Sequence, residues 1–154
     1  MLFRSQGILA GDGPDAMSLR EEARRLGLDG FVHFLGHVAE PLSVYRALDM
    51  AVLPSLSEGM PLAALEAMMC SLPVVGTRVG GVPEVVQDGR TGTLVPAADA
   101  KRLAEAVTGL ADDPALRARY GEAGRERVMA CFSPGRRAEH IVHLYQHLTS
   151  AVRA

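Results

Sequence analysis

The sequence predicts an α/β fold, a parallel sheet covered by helices on both faces, and three observations carry that prediction. Short apolar runs closed by Gly or Pro alternate with longer amphipathic segments, the sequence form of repeated strand–helix units. The runs do not alternate apolar with polar residues, as expected of strands buried on both faces. At 154 residues, 48% of them hydrophobic, the chain is long enough for one domain that buries roughly 70% of its unfolded surface.

Each element follows in order. Residues 7–10 form the first strand, and Gly11-Asp12-Gly13-Pro14 turns the chain into a helix over residues 15–26, stopped by Gly27. Residues 32–35 are a strand ending at Gly36-His37, and a helix over 41–48 bridges to the strand 50–53, closed by Pro54-Ser55. A helix over 61–71 has Pro61 at its expected first position, where the missing amide is harmless. The strand 73–76 runs into a turn at Thr77 to Gly81 and a helix beginning at Pro83; the strand 93–95 stops at Pro96. Helices follow over 99–110, 114–130 and 134–152, and the last carries Ile141, Leu144, Tyr145, Leu148 and Val152 on one stripe that calls for a packing partner. Five loops thereby gather at the carboxyl edge of the strands, where open α/β sheets bind their ligands.

Charge and composition narrow the function classes. A formal net charge of -2 leaves no overall positive field for nucleic acid or anionic lipid, so any bound anion must be held locally. No stretch approaches the roughly 20 apolar residues of a bilayer helix, and Met1-Leu2-Phe3 is too short an apolar run for a signal peptide, so a soluble, unexported protein is expected. Cys70 and Cys131, without a metal-ligand spacing, are expected as buried apolar residues in a reducing compartment. His140, His143 and His147 have spacings that can bind metal, but on a terminal helix they read as solvated side chains. The arginine-rich region of Arg117, Arg119, Arg125, Arg127, Arg136 and Arg137 is nearly balanced by Asp112, Asp113, Glu122, Glu126 and Glu139, which disfavours a nucleic-acid surface.

The most informative stretch runs from Pro54 to Met68, a strand end, a loop and a helix start. Neither Gly59 nor Met60 offers a side-chain acceptor to the amides of Leu62, Ala63 and Ala64. Free amides at a helix start, with the positive end of its dipole, suit an anion such as a diphosphate, although water or a neighbouring loop could equally satisfy them. Glu58 and Glu66 flank this start. Eight helical residues rise about 12 Å, whereas paired glycosidase carboxylates stand roughly 5 to 9.5 Å apart. The pair is therefore better spaced to grip two ends of an extended ligand than to flank one bond. Taken alone, Glu66 could be a solvated helix residue; the small or apolar Ala63, Ala67 and Cys70 on adjoining faces argue for a ligand.

Ser57-Glu58-Gly59-Met60-Pro61-Leu62 with Glu66-Ala67-Met68, then Leu72-Pro73-Val74-Val75, Gly80-Gly81-Val82-Pro83-Glu84-Val85-Val86 and Asp88-Gly89-Arg90-Thr91-Gly92, strongly resembles the donor-binding, C-terminal domain of GT-B retaining glycosyltransferases that use nucleotide sugars. Gly11-Asp12-Gly13-Pro14, Phe34-Leu35-Gly36-His37-Val38 and Phe132-Ser133 fit as well, so the resemblance covers about residues 7–150.

The resemblance implies a Rossmann-like fold, with residues 1–131 as the donor-binding domain and 132–154 as a C-terminal crossover helix. It implies that Glu58 is catalytic, holding donor-sugar hydroxyls and helping to stabilise positive charge at the anomeric carbon, and that Glu66 accepts hydrogen bonds from the ribose. The segment Glu58, Gly59, Met60, Pro61 and Leu62 would meet the sugar and diphosphate, and the Val38 backbone would read the base. Gly11 and Gly13 would let the chain pass close to the nucleotide, or simply make a turn. Gly80-Gly81 likewise could face the donor or form the turn before the next helix. The reaction implied is transfer of a glycosyl group from a UDP- or GDP-sugar to the hydroxyl of a glycan, lipid or small-molecule acceptor, with retention at the anomeric carbon. No cofactor and no metal are implied, and no Asp-x-Asp motif occurs. A cytoplasmic location is implied, with at most peripheral contact at the inner face of the membrane.

The family's donor domain opens with a strand and helix carrying an Arg and a Lys that clamp the diphosphate, and the motifs here begin after them; Lys101, the only lysine, lies far downstream. The expectation is a domain lacking its first strand and helix, a sheet that is split, rearranged or completed by other residues, and negligible transferase activity of the chain alone. A separate chain bearing the acceptor domain is the implied partner. The alternative is a non-catalytic fragment or split-enzyme subunit that binds nucleotide or a partner chain; a sugar-nucleotide epimerase of the same fold fits the glutamate spacing less well.

Overall fold

The computed structural model describes residues 5–151, and within them all side chains except those of residues 134, 137, 140 and 148–151. The chain packs as two compact units that divide between Ser43 and Val44.

In the first unit, strand β1 (Gly7–Ala10) pairs in parallel with β2 (Val32–Gly36), and helix α1 (Ala16–Arg25) makes the crossover. The register runs Gly7 to Val32, Ile8 to His33 and Leu9 to Phe34, then slips so that Ala10 faces Gly36. The strands depart from the expected burial: every β1 residue is exposed and β2 alternates. The physical reason is that α1 is the only long helix in this unit and contributes no buried residue, so the two-stranded ribbon is incompletely covered and at β1 both faces are open. Helix α2 (Leu42–Tyr45) crosses the division between the units and is shorter than the eight residues expected from the sequence.

The second unit is built on a three-stranded parallel sheet in the order β3 (Ala51–Leu53), β4 (Val74–Thr77), β5 (Gly92–Val95). Its helices are α3 (Leu62–Met69), α4 (Val82–Val85), α5 (Ala100–Asp112), α6 (Pro114–Cys131) and α7 (Pro134–Ala151). The described strands thus lie in two sheets, as expected of a divided sheet. All four residues of the central strand β4 are buried, and consecutive valines serve different clusters. Val74 joins Leu53, Ala64, Ala67, Met68, Val82 and Val128, whereas Val75 joins Leu110 and Tyr120. That is the period-two signature of a strand covered on both faces.

Helix α6 ties this unit together. Asp113 caps it, accepting from the Leu116 amide at 2.8 Å, with Pro114 in the first turn. Asp113→Ala is expected to lower stability by about 1 kcal/mol, seen as a lower urea midpoint at unchanged slope. Three of the four arginines of the same helix are spent internally on carbonyl oxygens at the ends of other helices. Arg117 Nη1 donates to Leu110 O and Ala111 O at 2.6 and 2.8 Å, Arg125 Nη1 to Met69 O at 3.0 Å, and Arg127 to Val85 O and Glu84 O at 2.9 and 2.6 Å. Cations placed on C-terminal carbonyls complement the helix dipoles and satisfy orphan acceptors. Three of the six arginines of the arginine-rich region are therefore helix caps, and the Arg119 guanidinium lies over the Tyr120 ring, 5.6 Å from its centroid.

Two expectations about single residues change. Cys131, the last residue of α6, is exposed, and Cys70 is only partly buried; Cys131 falls on the outward side of the helix end, beyond the reach of the core. On α7, the stripe residues Ile141, Leu144 and Tyr145 are exposed, whereas the side chain of Leu148 and all of Val152 lie outside the described residues. His143 and His147 place their rings 4.7 Å apart between centroids, and the His140 side chain lies outside the description. No helix among the described residues is long and apolar enough to cross a membrane.

Candidate functional site

The loop between β3 and α3 emerges from the carboxyl end of β3 and is pinned from below. Thr77, 3% exposed at the end of β4, donates through Oγ1 to Ser55 O at 2.5 Å and more weakly to Leu53 O at 3.4 Å. Ser55 Oγ in turn donates to Glu58 Oε1 at 3.1 Å. A buried threonine thus holds the backbone of the serine that holds the glutamate, and this part-buried chain of hydroxyls aims the carboxylate.

A second support comes from the turn after β4. The Gly81 amide donates to Glu58 O at 3.2 Å. A Cβ on Gly80 would lie 1.7 Å from Glu58 O, and one on Gly81 would lie 2.1 Å from Gly59 O. Of the two readings open for these glycines, the close packing of one loop on another is sufficient to require them. Gly80 also has φ +46°, a conformation side chains resist.

At the helix start the structure amends the sequence reading. Pro61 is fully buried and stands at the N-cap, one residue before the helix proper, with no side-chain cap. The Leu62 amide donates to Met60 O at 2.9 Å and the Ala64 amide to Pro61 O at 3.0 Å. Two of the three donors expected to be free are therefore occupied by the loop, because residues 60–62 fold into a tight turn that returns carbonyl oxygens to them.

Glu66 lies one turn into α3 and is exposed. Its Oε2 accepts a hydrogen bond of 3.1 Å from the hydroxyl of Tyr45, at the end of α2. Burial first, then the hydrogen bond and the charges of Glu66 and Cys70, push the Tyr45 hydroxyl up to about 12, so it remains a donor throughout the neutral range. The two glutamates share a design in which one neutral hydroxyl engages one carboxylate oxygen of each. Ser55, Thr77 and Tyr45 carry no motif of their own, and only their contacts reveal them.

The remaining candidates, Gly11, Gly13 and Val38, belong to the first unit, in the loops that follow β1 and β2. The Gly11 amide donates to Gly36 O at 2.8 Å, and its φ of +140° requires glycine. Neither Gly13 nor Gly59 has positive φ, and a Cβ at either would meet nothing within 4 Å. Nothing among the described residues explains these two glycines.

A braced loop and two hydroxyl-oriented carboxylates beyond the carboxyl ends of parallel strands lie where open α/β sheets as a class place their ligand sites. The chain belongs to the group 1 glycosyl transferases: the family model "Glycosyl transferases group 1" matches residues 4–113. It is 37% identical over 139 residues to N-acetyl-alpha-D-glucosaminyl L-malate synthase of Bacillus anthracis, covering 90% of this chain and 35% of that protein. Its fold matches sucrose-phosphate synthase from Thermosynechococcus elongatus with a TM-score of 0.83 and 35% identity, covering 94% of this chain and 38% of that one. It also matches Anabaena HepE, solved in complex with UDP-glucose, with a TM-score of 0.79 and 26% identity, covering 96% and 40%. The expected Rossmann-like α/β class of GT-B glycosyltransferases therefore stands, and the chain spans 35 to 40% of the length of these relatives.

Proposed function

We propose that this chain supplies the donor-binding half of a retaining glycosyltransferase that takes a UDP- or GDP-sugar and glycosylates an acceptor hydroxyl. The observation that carries the reading is the pair of hydroxyl-braced glutamates, Glu58 on the pinned loop and Glu66 on α3. Carboxylates accept hydrogen bonds from sugar hydroxyls, and two of them along an extended segment suit a ligand with hydroxyls at both ends, a sugar and a ribose joined by diphosphate. Gly59 adds support, since it leaves room for a ligand to approach the backbone of the same loop.

In this reading Glu58 holds the donor sugar and favours positive charge at the anomeric carbon. Gly59, Met60, Pro61 and Leu62 border the sugar and diphosphate, and Glu66 takes the ribose hydroxyls; in the first unit, taken by itself, the Val38 backbone is the candidate base contact and Gly11 and Gly13 are candidate nucleotide contacts. The bond from the anomeric carbon to the diphosphate oxygen breaks with its electron pair on the diphosphate. The acceptor oxygen bonds to the same face of that carbon, and its proton leaves to the diphosphate or to solvent. Preorganised polar groups around developing charge would supply much of the rate. Because two helix-start amides are already occupied, cationic side chains rather than this helix start would have to carry most of the diphosphate charge.

Calorimetric titration of UDP-glucose and GDP-mannose into the chain and its Glu66→Ala variant tests the reading. Removing a charged acceptor is worth about 1.5–3 kcal/mol, so the variant is expected to bind the preferred sugar nucleotide at least roughly tenfold more weakly. Equal binding by the two would remove the ribose assignment.

A further inference from the structure

Tyr45 is the last residue of α2, 21 positions before Glu66, and its partly buried ring packs against the main core cluster of the second unit. A tyrosine has only two side-chain torsions, so a packed ring presents its hydroxyl from a nearly fixed point. Glu66, by contrast, is exposed on its helix, and a free glutamate samples many rotamers that a ligand must freeze on binding. The Tyr45 hydroxyl is the only hydrogen-bond donor to the Glu66 carboxylate among the described residues. A carboxylate offers about four acceptor positions, so one bond to Oε2 orients the group and leaves the rest of Oε2 and all of Oε1 available.

Resting on the assignment of Glu66 to the ribose, we propose that Tyr45 is a positioning residue of the nucleotide subsite: its hydroxyl holds the Glu66 carboxylate in the orientation that receives a vicinal pair of hydroxyl groups. The bond distance, the packed ring and the absence of a competing donor among the described residues together carry this assignment. The raised pKa of the phenol keeps the donor in place throughout the neutral range. Tyr45 itself need not touch the ligand. Its effect is preorganisation, which lowers the ordering cost of binding.

The test uses the full chain, with UDP and GDP as probes beside their 2′,3′-dideoxy counterparts, which lack the hydroxyl pair. Tyr45→Phe retains the ring and removes only the donor; Tyr45→Met, a second apolar replacement of similar reach, guards against failure of one variant to fold. For whichever diphosphate the unaltered chain binds, both variants are expected to weaken binding about three- to tenfold while leaving the dideoxy counterpart unaffected, so discrimination by the hydroxyl pair shrinks. A general structural defect would weaken both ligands alike, and that outcome would overturn the proposal. Unchanged affinity for UDP and GDP in the tyrosine variants, with Glu66→Gln still impaired, would overturn the role of Tyr45 and leave the ribose assignment standing. Unimpaired binding by Glu66→Gln, or binding of neither UDP nor GDP by the unaltered chain, would remove both.

Discussion

Gly80→Ala is expected to destabilise the second unit by about 2–4 kcal/mol and to displace the loop that carries Glu58. The added Cβ would stand 1.7 Å from Glu58 O and 2.8 Å from Glu58 C, well inside any tolerable contact. The obstacle is backbone, which cannot swing aside as a flexible side chain can, and the φ of +46° adds the left-handed penalty of roughly 1 kcal/mol. Relief requires one of the two loops to move. The Gly81 amide bond to Glu58 O would then be lost with the displacement, and the Ser55 hydroxyl would no longer aim the carboxylate. The chain has no tryptophan, so urea unfolding followed by circular dichroism is the suitable measurement. Gly59→Ala is the control: its Cβ would meet nothing within 4 Å, and its stability is expected to stay within about 0.5 kcal/mol. A Gly80→Ala midpoint equal to that of the control would show that the loops do not support each other as described.

Met68→Ala is expected to cost about 2–4 kcal/mol, a fall in Tm of roughly 2–4 °C for each kcal/mol in a chain of this size. Met68 lies on α3 with 0% exposure and belongs to the main core cluster. It also fills the contact with α6, where a Cβ on Gly124 would lie 3.3 Å from Met68 Cγ. Truncation therefore leaves a cavity between two helices. On one side of α3 stands the Glu66 carboxylate, so slackening this packing also blurs the placement of the candidate ribose group. Leu62→Ala, at a position 62% exposed on the same helix, removes a side chain of similar size without opening a cavity and is expected to change stability by less than about 0.5 kcal/mol. If the two substitutions proved equal, the core assignment of α3 would be wrong.

Much of the fold was legible because its signals are local. The strands at residues 7–10, 32–35 and 50–53 each begin and end within a residue of the observed elements, since a short apolar run followed by Gly or Pro leaves the backbone few options. The helices expected from residues 99 and 114 start at Ala100 and Pro114, and the structure adds that Asp99 and Asp113 cap them, accepting from the Arg102 and Leu116 amides. The helix around Pro61 was placed but shifted by one residue, because a buried proline serves as cap where nothing in the pattern distinguishes cap from first turn. Exposure of β1 was not legible: an apolar run reports what could be buried, and only the number of covering elements in the unit decides what is.

The sequence by itself determined the order of strands and helices, the two glutamates eight positions apart and the family to which the chain belongs, since each resides in a contiguous motif. Tertiary structure alone decided that Tyr45 braces Glu66, that Thr77 and Ser55 brace Glu58, that Gly80 and Gly81 carry the Glu58 loop, and that Arg117, Arg125 and Arg127 of α6 cap three other helices. The physical reason is range. Periodicity and capping act within a few residues, where the backbone itself fixes the geometry. A hydroxyl and a carboxylate 21 positions apart meet only because the packed core returns both segments to one place.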